Sequence, residues 1–229
     1  MLTTALFLLA MTAQDKLPDV QMGKAQLCFL VEPENAPKLS AKEDGENLAD
    51  HLKFLSGLWE KRTALVVGPL MDAGKRKGIV LLDVESAEAA KKVLADDPYV
   101  RAGSLVVETH TWFFAKNYLA KGNSFMDLNQ YWFGMLERPE NPPTASEEQL
   151  NLMQDGHMAN IQKMAKEGAL LVAGPMVEPT NFRGIFVFKK MPKEEIEKLT
   201  ADDPLIKAGR LKLTLFKWLT SKGSFIAEK

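Results

Sequence analysis

The sequence has few of the residues that dedicated chemical sites usually need. Cys28 is the only cysteine among 229 residues, which excludes an internal disulfide framework and a cysteine-based zinc cluster. Three histidines leave little material for a metal site, so we expect none. Glycine-rich phosphate loops, HExxH, CxxC and GxSxG motifs are also missing. We therefore expect no cofactor and none of the common nucleotide enzymes, zinc proteases or serine hydrolases.

The chain also lacks an excess of charge of either sign. Its 29 basic and 30 acidic side chains give a formal net charge of −1, so no nucleic-acid partner is expected. At 46% hydrophobic and 26% charged residues, the composition is that of an ordinary globular protein. The length suits one large domain or two small ones.

Long hydrophobic runs are missing as well. The apolar run within Leu2 to Ala13 is too short to span a bilayer, so we expect no membrane span. Residues 1–13 are predicted to be an export signal, with Ala13 as a small residue at the cleavage site. The protein would then be periplasmic or secreted. The alternative is an amino-terminal extension of a cytoplasmic protein.

The two halves of the chain repeat each other at a constant offset of 106 residues. From Gln26 to Phe113 this offset aligns 88 positions without gaps and gives 23 identities, about 26%. Chance supplies roughly one identity in sixteen, so the sequence predicts two copies of one module. We place them at residues 25–116 and 130–220, with a linker at 117–129 and a tail at 221–229.

Each half is predicted to contain the elements β-α-β-β-α-β, the ferredoxin-like order. The predicted helices are 48–61 and 86–95 in the first half, and 146–167 and 192–201 in the second. A four-stranded sheet with helices on one face leaves its other face bare. The fold class is therefore α+β, with two tandem modules packing sheet on sheet as a dimeric α+β barrel within one chain. Further homo-oligomerisation stays open.

A histidine and an aspartate recur at the same spacing in both copies. His51 precedes Asp97 by 46 residues, and His157 precedes Asp203 by the same 46. A carboxylate that accepts a proton from one imidazole nitrogen fixes the tautomer and makes the other nitrogen more basic, as a general base requires. The alternative is that the aspartates mark helix exits and the histidines are packed or solvated side chains.

Other repeated residues are candidates for ligand binding. The pairs Gly68-Pro69 and Gly174-Pro175 are interpreted as strand ends with turns, and would also let a ligand approach the backbone. Lys77 and Arg183 precede a repeated glycine, which would suit an anionic, carboxylate-bearing small molecule. Solvated surface charge is the alternative.

Two kinds of residue in the last strands are interpreted as structural. Trp112 and Trp218 recur in both copies and are expected to fill the core. His110 aligns with Phe216, so it lies outside the repeated set. We interpret it as an individual strand residue and not as a ligand.

These motifs together resemble the YCII-related family. The resemblance rests on His51-Leu52, on the run from Ala64 to Leu70 that contains Gly-Pro, and on the run from Ala95 to Gly103 that contains Asp-Asp-Pro. The second copy repeats the pattern from Gly168 to Met176 and from Ala201 to Gly209.

The resemblance implies a ferredoxin-like module that pairs into a dimeric α+β barrel. It also implies that His51 with Asp97, and His157 with Asp203, are catalytic pairs in a cleft. Known activities in the family are metal-free transformations of small cyclic or aromatic acids. We therefore expect a cofactor-independent lyase or isomerase. The alternatives are a non-catalytic binding or sensing module and a structural periplasmic protein.

Overall fold

The computed structural model describes residues 20–226, and the export signal predicted at 1–13 lies outside them. Within that range the chain forms eight strands, six α-helices and one short 3₁₀ helix, Lys116–Tyr118. None of these helices has both the length and the apolar character that a membrane span needs.

The two halves contain the same elements in the same order. The first half contains β1 (Met22–Val31), α1 (Ala41–Glu60), β2 (Ala64–Met71), β3 (Arg76–Leu82), α2 (Ala87–Leu94), α3 (Pro98–Arg101) and β4 (Val106–Ala115). The second contains β5 (Leu128–Glu137), α4 (Glu147–Lys166), β6 (Leu170–Pro175), β7 (Phe182–Phe188), α5 (Lys193–Ala201), α6 (Pro204–Lys207) and β8 (Lys212–Ser221). The short helices α3 and α6 were not among the predicted elements.

All eight strands belong to one sheet that closes on itself. Their order is β4-β1-β3-β2-β8-β5-β7-β6. The halves meet where β2 pairs with β8, at Leu70 opposite Trp218. A bridge between Trp112 and Met176 joins the other edges. This arrangement confirms the predicted α+β barrel of two ferredoxin-like modules in one chain, which we call module 1 and module 2.

The barrel has three hydrophobic cores. The central core fills the barrel interior and contains residues of both modules. Its members Phe29, Ile79, Phe133 and Ile185 are all at most 1% exposed. Each module also packs the outer face of its own strands against its own helices. Removing these apolar faces from water is the main favourable term in forming such a structure.

The long helices begin with capping boxes, and this corrects one predicted boundary. The side chains of Ser40 and Ser146 accept hydrogen bonds from the backbone N–H three residues later. In return, the side chains of Glu43 and Gln149 accept hydrogen bonds from the backbone N–H of these serines, as a capping box requires. Helix α1 therefore begins at Ala41, seven residues before the predicted start. His51 consequently lies in the middle of the helix and not near its beginning.

The strands also differ from their predicted ends at the Gly-Pro pairs. Strand β2 continues through Gly68-Pro69 to Met71, and β6 includes Gly174-Pro175. The predicted turns are therefore strand residues. Strands β2 and β6 are edge strands among the four strands of their own module. Proline is tolerated in edge strands, so each strand can continue through its Gly-Pro pair.

Candidate active site

In module 1 the predicted pair comes into direct contact. His51 projects from α1, and Asp97 is the N-cap residue of α3. The Nδ1 of His51 lies 2.6 Å from Oδ2 of Asp97. The other carboxylate oxygen accepts backbone N–H bonds from Tyr99 at 2.9 Å and from Val100 at 3.4 Å. Asp97 thus holds the short helix and the imidazole at the same time.

Module 2 repeats this geometry. The Nδ1 of His157 on α4 lies 2.6 Å from Oδ2 of Asp203, the N-cap residue of α6. Oδ1 of Asp203 accepts N–H bonds from Leu205 at 3.0 Å and from Ile206 at 3.3 Å. Both aspartates are fully buried. The spacing of 46 residues therefore corresponds to a real contact in both modules.

This geometry determines which nitrogen of each imidazole is available. An ionised carboxylate can only accept hydrogen bonds, so Nδ1 of His51 and Nδ1 of His157 are the donors. In the neutral imidazole each Nε2 is then the nitrogen without a proton, and it can accept one. A general base for proton abstraction requires this state.

The pKa of Asp203 is lowered by its surroundings. Burial alone would raise that pKa, because it disfavours the charged form. The hydrogen bond and charge of His157, together with the backbone N–H groups of Ile206 and Leu205, outweigh burial and lower it. The carboxylate therefore stays ionised and keeps the imidazole oriented.

The two imidazoles have different aromatic neighbours. In module 1 the ring of Tyr99 meets His51 edge-on, with centroids 5.3 Å apart, and its hydroxyl donates to Asp44. Burial and the neighbouring Asp44 raise the pKa of Tyr99 to about 12, which keeps that hydroxyl protonated. In module 2 Phe186 stacks on His157 at 6.0 Å. The side chains of His51 and His157 remain 14% and 11% exposed.

A groove runs beside the pair in module 1. It has a volume of about 420 Å³ and lies between α1 and α3. Its lining includes the chain neighbours Asp50, Asp96 and Pro98, but neither His51 nor Asp97. Its charged lining residues are Asp50, Lys53, Lys61, Asp96 and Arg101. Arg101 and Asp50 also line an adjoining space of about 270 Å³. The groove could hold a small molecule, with cations available for an anionic group.

The structure places the predicted ligand-binding glycines and prolines elsewhere, in the seam between the modules. A Cβ at Gly68 would lie 1.7 Å from the carbonyl oxygen of Leu219, and a Cβ at Gly174 would lie 2.1 Å from that of Phe113. Pro69 and Pro175 are the next residues along the same strands. The glycines thus admit the backbone of the other module, and ligand binding at these residues stays a prediction.

The tryptophans complete this seam. Trp218 donates its indole N–H to the carbonyl oxygen of Gly68 at 3.2 Å, and Trp112 donates to that of Gly174 at 3.1 Å. Both tryptophans are 3% exposed. They fill the core as predicted and also form one hydrogen bond in each direction between the modules.

The predicted cations Lys77 and Arg183 are engaged by near neighbours. Lys77 forms an exposed ion pair with Glu32 at 2.7 Å. Arg183 donates to the carbonyl oxygen of Thr180 at 3.3 Å, also at an exposed position. Binding of an anionic ligand by either residue stays a prediction. The cations that line the groove between α1 and α3 are Lys53, Lys61 and Arg101.

Sequence reasoning missed the short helices and one further pair. Asp-Pro is a good start for a helix, since aspartate caps the N-terminus and proline suits the first turn, so α3 and α6 had a local signal. His110 is not isolated, because its Nε2 lies 2.8 Å from Oε1 of Glu108. The spacing of two residues on one strand, which places both side chains on one face, was the available signal.

A family model matches the first module, and solved structures match the fold of most of the chain. Residues 27–112 match the model of the YCII-related domain. A mutant chlorite dismutase from Candidatus Nitrospira defluvii has a TM-score of 0.55 at 10% identity, covering 92% of this chain and 95% of that one. A heme-binding protein from Thermus thermophilus has a TM-score of 0.51 at 12% identity, covering 88% and 93%.

The two structural likenesses show the fold alone, because both identities are low. No curated protein sequence matches the chain. The family assignment therefore rests on the match over residues 27–112, which contains His51, Asp97 and the Gly68-Pro69 pair. Module 1 is therefore similar to the YCII-related domain over residues 27–112.

Proposed function

We propose that the protein is an enzyme that transfers a proton at a small organic acid, as a lyase or isomerase, through its two His–Asp pairs. The observation that carries the proposal is the contact of 2.6 Å in both modules. The modules share only 23 of 88 aligned residues, yet both keep the pair with its fully buried carboxylate. We infer that module 2 is a second copy of the YCII-related domain.

The proposed chemistry uses Nε2 of each imidazole as the base. It removes a proton from a carbon next to the carboxylate of the substrate, and the electron pair of that C–H bond stays with the substrate. In an isomerisation the imidazolium returns the proton at another carbon. In an elimination the electron pair forms a double bond while a leaving group departs with its own pair. Asp97 or Asp203 stabilises the imidazolium in either case.

The groove near the module 1 pair offers three cations to an anionic substrate, beside the two carboxylates of Asp50 and Asp96. Lys53, Lys61 and Arg101 line the groove between α1 and α3. A guanidinium can bind a carboxylate through two parallel hydrogen bonds, so Arg101 is the best candidate for holding the acid group. Lys207 occupies the equivalent position in module 2.

A structural role is the second candidate function, and it also has an observation in its favour. Tyr99 and Phe186 cover the imidazoles, which leaves little of either side chain exposed. Each pair also ties a long helix to a short one. In this alternative the pairs fasten α1 to α3 and α4 to α6, and no proton is transferred.

Heme, which the Thermus thermophilus protein binds, does not fit the interior of this barrel. Tyr131, Phe133, Trp218 and Phe225 are each at most 3% exposed there. Their rings contact one another at centroid distances of 4.9 to 6.1 Å. A tetrapyrrole inside the barrel would have to displace these rings.

The proposal is tested by hydrogen–deuterium exchange at carbon. The protein is incubated in D₂O with a panel of small cyclic and aromatic carboxylic acids and lactones, and NMR follows loss of C–H signals and appearance of products. The wild type should turn over at least one compound. His51→Asn and His157→Asn should each lower the rate, and the double variant should lower it by about 10²–10⁴-fold.

Asparagine is chosen because its amide N–H can replace Nδ1 as donor to the aspartate while Nε2 is lost. A role in fastening the helices should survive this substitution, and a role in proton transfer should not. Full activity in the double variant would contradict the proposal. A panel in which no compound exchanges or reacts would favour the structural alternative.

A further inference from the structure

A second cluster of charged side chains lies inside the barrel, apart from the two His–Asp pairs. On β4, Glu108 is paired opposite Phe29 and His110 opposite Leu27. Side chains directly opposite on antiparallel strands share a face, and both partners belong to the central core. Glu108 and His110 therefore face the barrel interior, where most neighbours are apolar.

Arg76 joins these two residues into one network. Its Nη2 donates to Oε1 of Glu108 at 2.9 Å, and the same oxygen lies 2.8 Å from Nε2 of His110. The guanidinium carbon lies 4.8 Å from the centroid of the Phe29 ring. The hydrogen bonds from His110 and Arg76 lower the pKa of Glu108 to about 2, so this carboxylate is ionised.

The network leaves one strong donor unused. The Nε of Arg76 is buried and has no hydrogen-bond acceptor among residues 20–226. An unpaired buried donor is costly and rare in folded proteins. The side chains of Arg76 and Glu108 are still 31% and 37% exposed, so the cluster is open to solvent from one end of the barrel.

Aromatic rings surround the cluster. Phe182 of module 2 meets the His110 ring edge-on at 5.1 Å, and Phe29 meets it at 6.0 Å. The two phenylalanine rings are 6.1 Å apart. A charged donor beside aromatic walls is the chemistry that recognises a planar carboxylate with an apolar body.

Module 2 has no equivalent of this cluster. At the offset of 106 residues, Arg76 corresponds to Phe182, Glu108 to Thr214 and His110 to Phe216. The same barrel position therefore folds without charge in module 2. An ion pair with side chains 31% and 37% exposed brings little net stability, so packing does not explain its presence in module 1.

We propose that Arg76 and His110, with the walls formed by Phe29 and Phe182, bind a small planar carboxylate at this end of the barrel, at one site per chain. The guanidinium of Arg76, whose side chain is 31% exposed, holds the carboxylate, and the rings contact its body. Glu108 contacts both Arg76 and His110 and competes with the ligand for Arg76. This site is independent of the proposed proton transfer at His51 and His157.

Isothermal titration calorimetry with benzoate tests the site on the full chain. Wild type should bind one benzoate per chain, and the neutral analogue benzamide should bind at least ten-fold more weakly. Arg76→Met should weaken benzoate at least ten-fold. Glu108→Gln should tighten it several-fold, because it removes the competing negative charge. His51→Asn and His157→Asn should leave this binding unchanged.

A folding control removes the charge of the whole cluster and places the module 2 residue types at positions 108 and 110. The combined variant Arg76→Met, Glu108→Thr and His110→Phe should melt no lower than wild type while binding no benzoate. The proposal is overturned by two sites per chain, by equal binding of benzamide, by weaker binding in Glu108→Gln or by no binding to wild type. Loss of benzoate binding in the His51 or His157 variants would also overturn it, and would move the acid to the His–Asp pairs.

Discussion

In module 1 the paired imidazole meets the edge of Tyr99, whereas in module 2 it stacks on Phe186. The bond from each imidazole to its aspartate is nevertheless the same 2.6 Å. Tyr99 corresponds to Leu205 in the other module, and Phe186 corresponds to Val80. The aromatic cover thus comes from a different element in each module, while the pair itself is unchanged.

The two modules also differ at the end of the first long helix and inside the barrel. After α1 the chain takes a left-handed conformation at Arg62, with φ 61°, where module 2 has Gly168 with φ 67°. This conformation is strained for arginine and easy for glycine. Inside the barrel, module 1 carries the charged cluster of Arg76 where module 2 has Phe182. Both modules therefore share the His–Asp pair and the seam glycine, whereas the strained Arg62 and the charged cluster of Arg76 belong to module 1 alone.

The seam glycines should give the largest effect. Gly68→Ala and Gly174→Ala each bring a Cβ against the backbone of the other module, at 1.7 and 2.1 Å. Each substitution must push two paired segments apart, so we expect a loss of about 3 kcal/mol or more in the free energy of unfolding. Urea denaturation measures both values, and similar losses would support an equivalent seam in the two modules.

Gly57→Ala in α1 is the matched control. Nothing lies within 4 Å of a Cβ at Gly57, and alanine favours a helix by about 1 kcal/mol over glycine. This variant should be neutral or more stable. Normal stability in Gly68→Ala would show that the modules do not approach as closely as described.

The buried aspartates should give a smaller effect. Asp97→Asn and Asp203→Asn keep an oxygen that can cap α3 and α6 but lose the charged partner of the histidine. Each should cost about 1–3 kcal/mol at neutral pH. If only one of the two variants has a cost within this range, the two pairs are not equivalent.

The cost at Asp203 should also depend on pH in a defined direction. The folded-state pKa of Asp203 is lowered, so its contribution is complete above the unfolded pKa of about 3.9. It is lost as pH falls through the folded-state pKa. The difference between wild type and Asp203→Asn should therefore shrink below about pH 4 in a series of urea denaturations. A difference that grows on acidification would contradict the lowered pKa.

Much of the fold could be predicted from the sequence. The repeat and the alternation of apolar runs gave the element order, and the bare sheet faces gave the barrel. The start of α1 was missed because residues 41–50 are almost all exposed and show no apolar stripe. The capping box of Ser40 and Glu43 was the signal that could have found it.

The site was predictable only where the repeat marked it. His51 and Asp97 stood out because His157 and Asp203 repeat their spacing. Gly68 was repeated for another reason, since its neighbour in space, Leu219, lies 151 residues away in sequence. Arg76 has no repeated counterpart and lies on a different strand from His110, so only the structure brings them together.

The tautomers of the imidazoles test the central claim most directly. Long-range ¹H–¹⁵N NMR at about pH 8, above the ordinary titration range of imidazole, distinguishes a protonated from an unprotonated ring nitrogen. His51 and His157 should both show a protonated Nδ1 and an unprotonated Nε2, whereas His110, held through Nε2 by Glu108, should show the reverse. A protonated Nε2 at His51 and His157 would contradict the account, because neither ring could then act as the base.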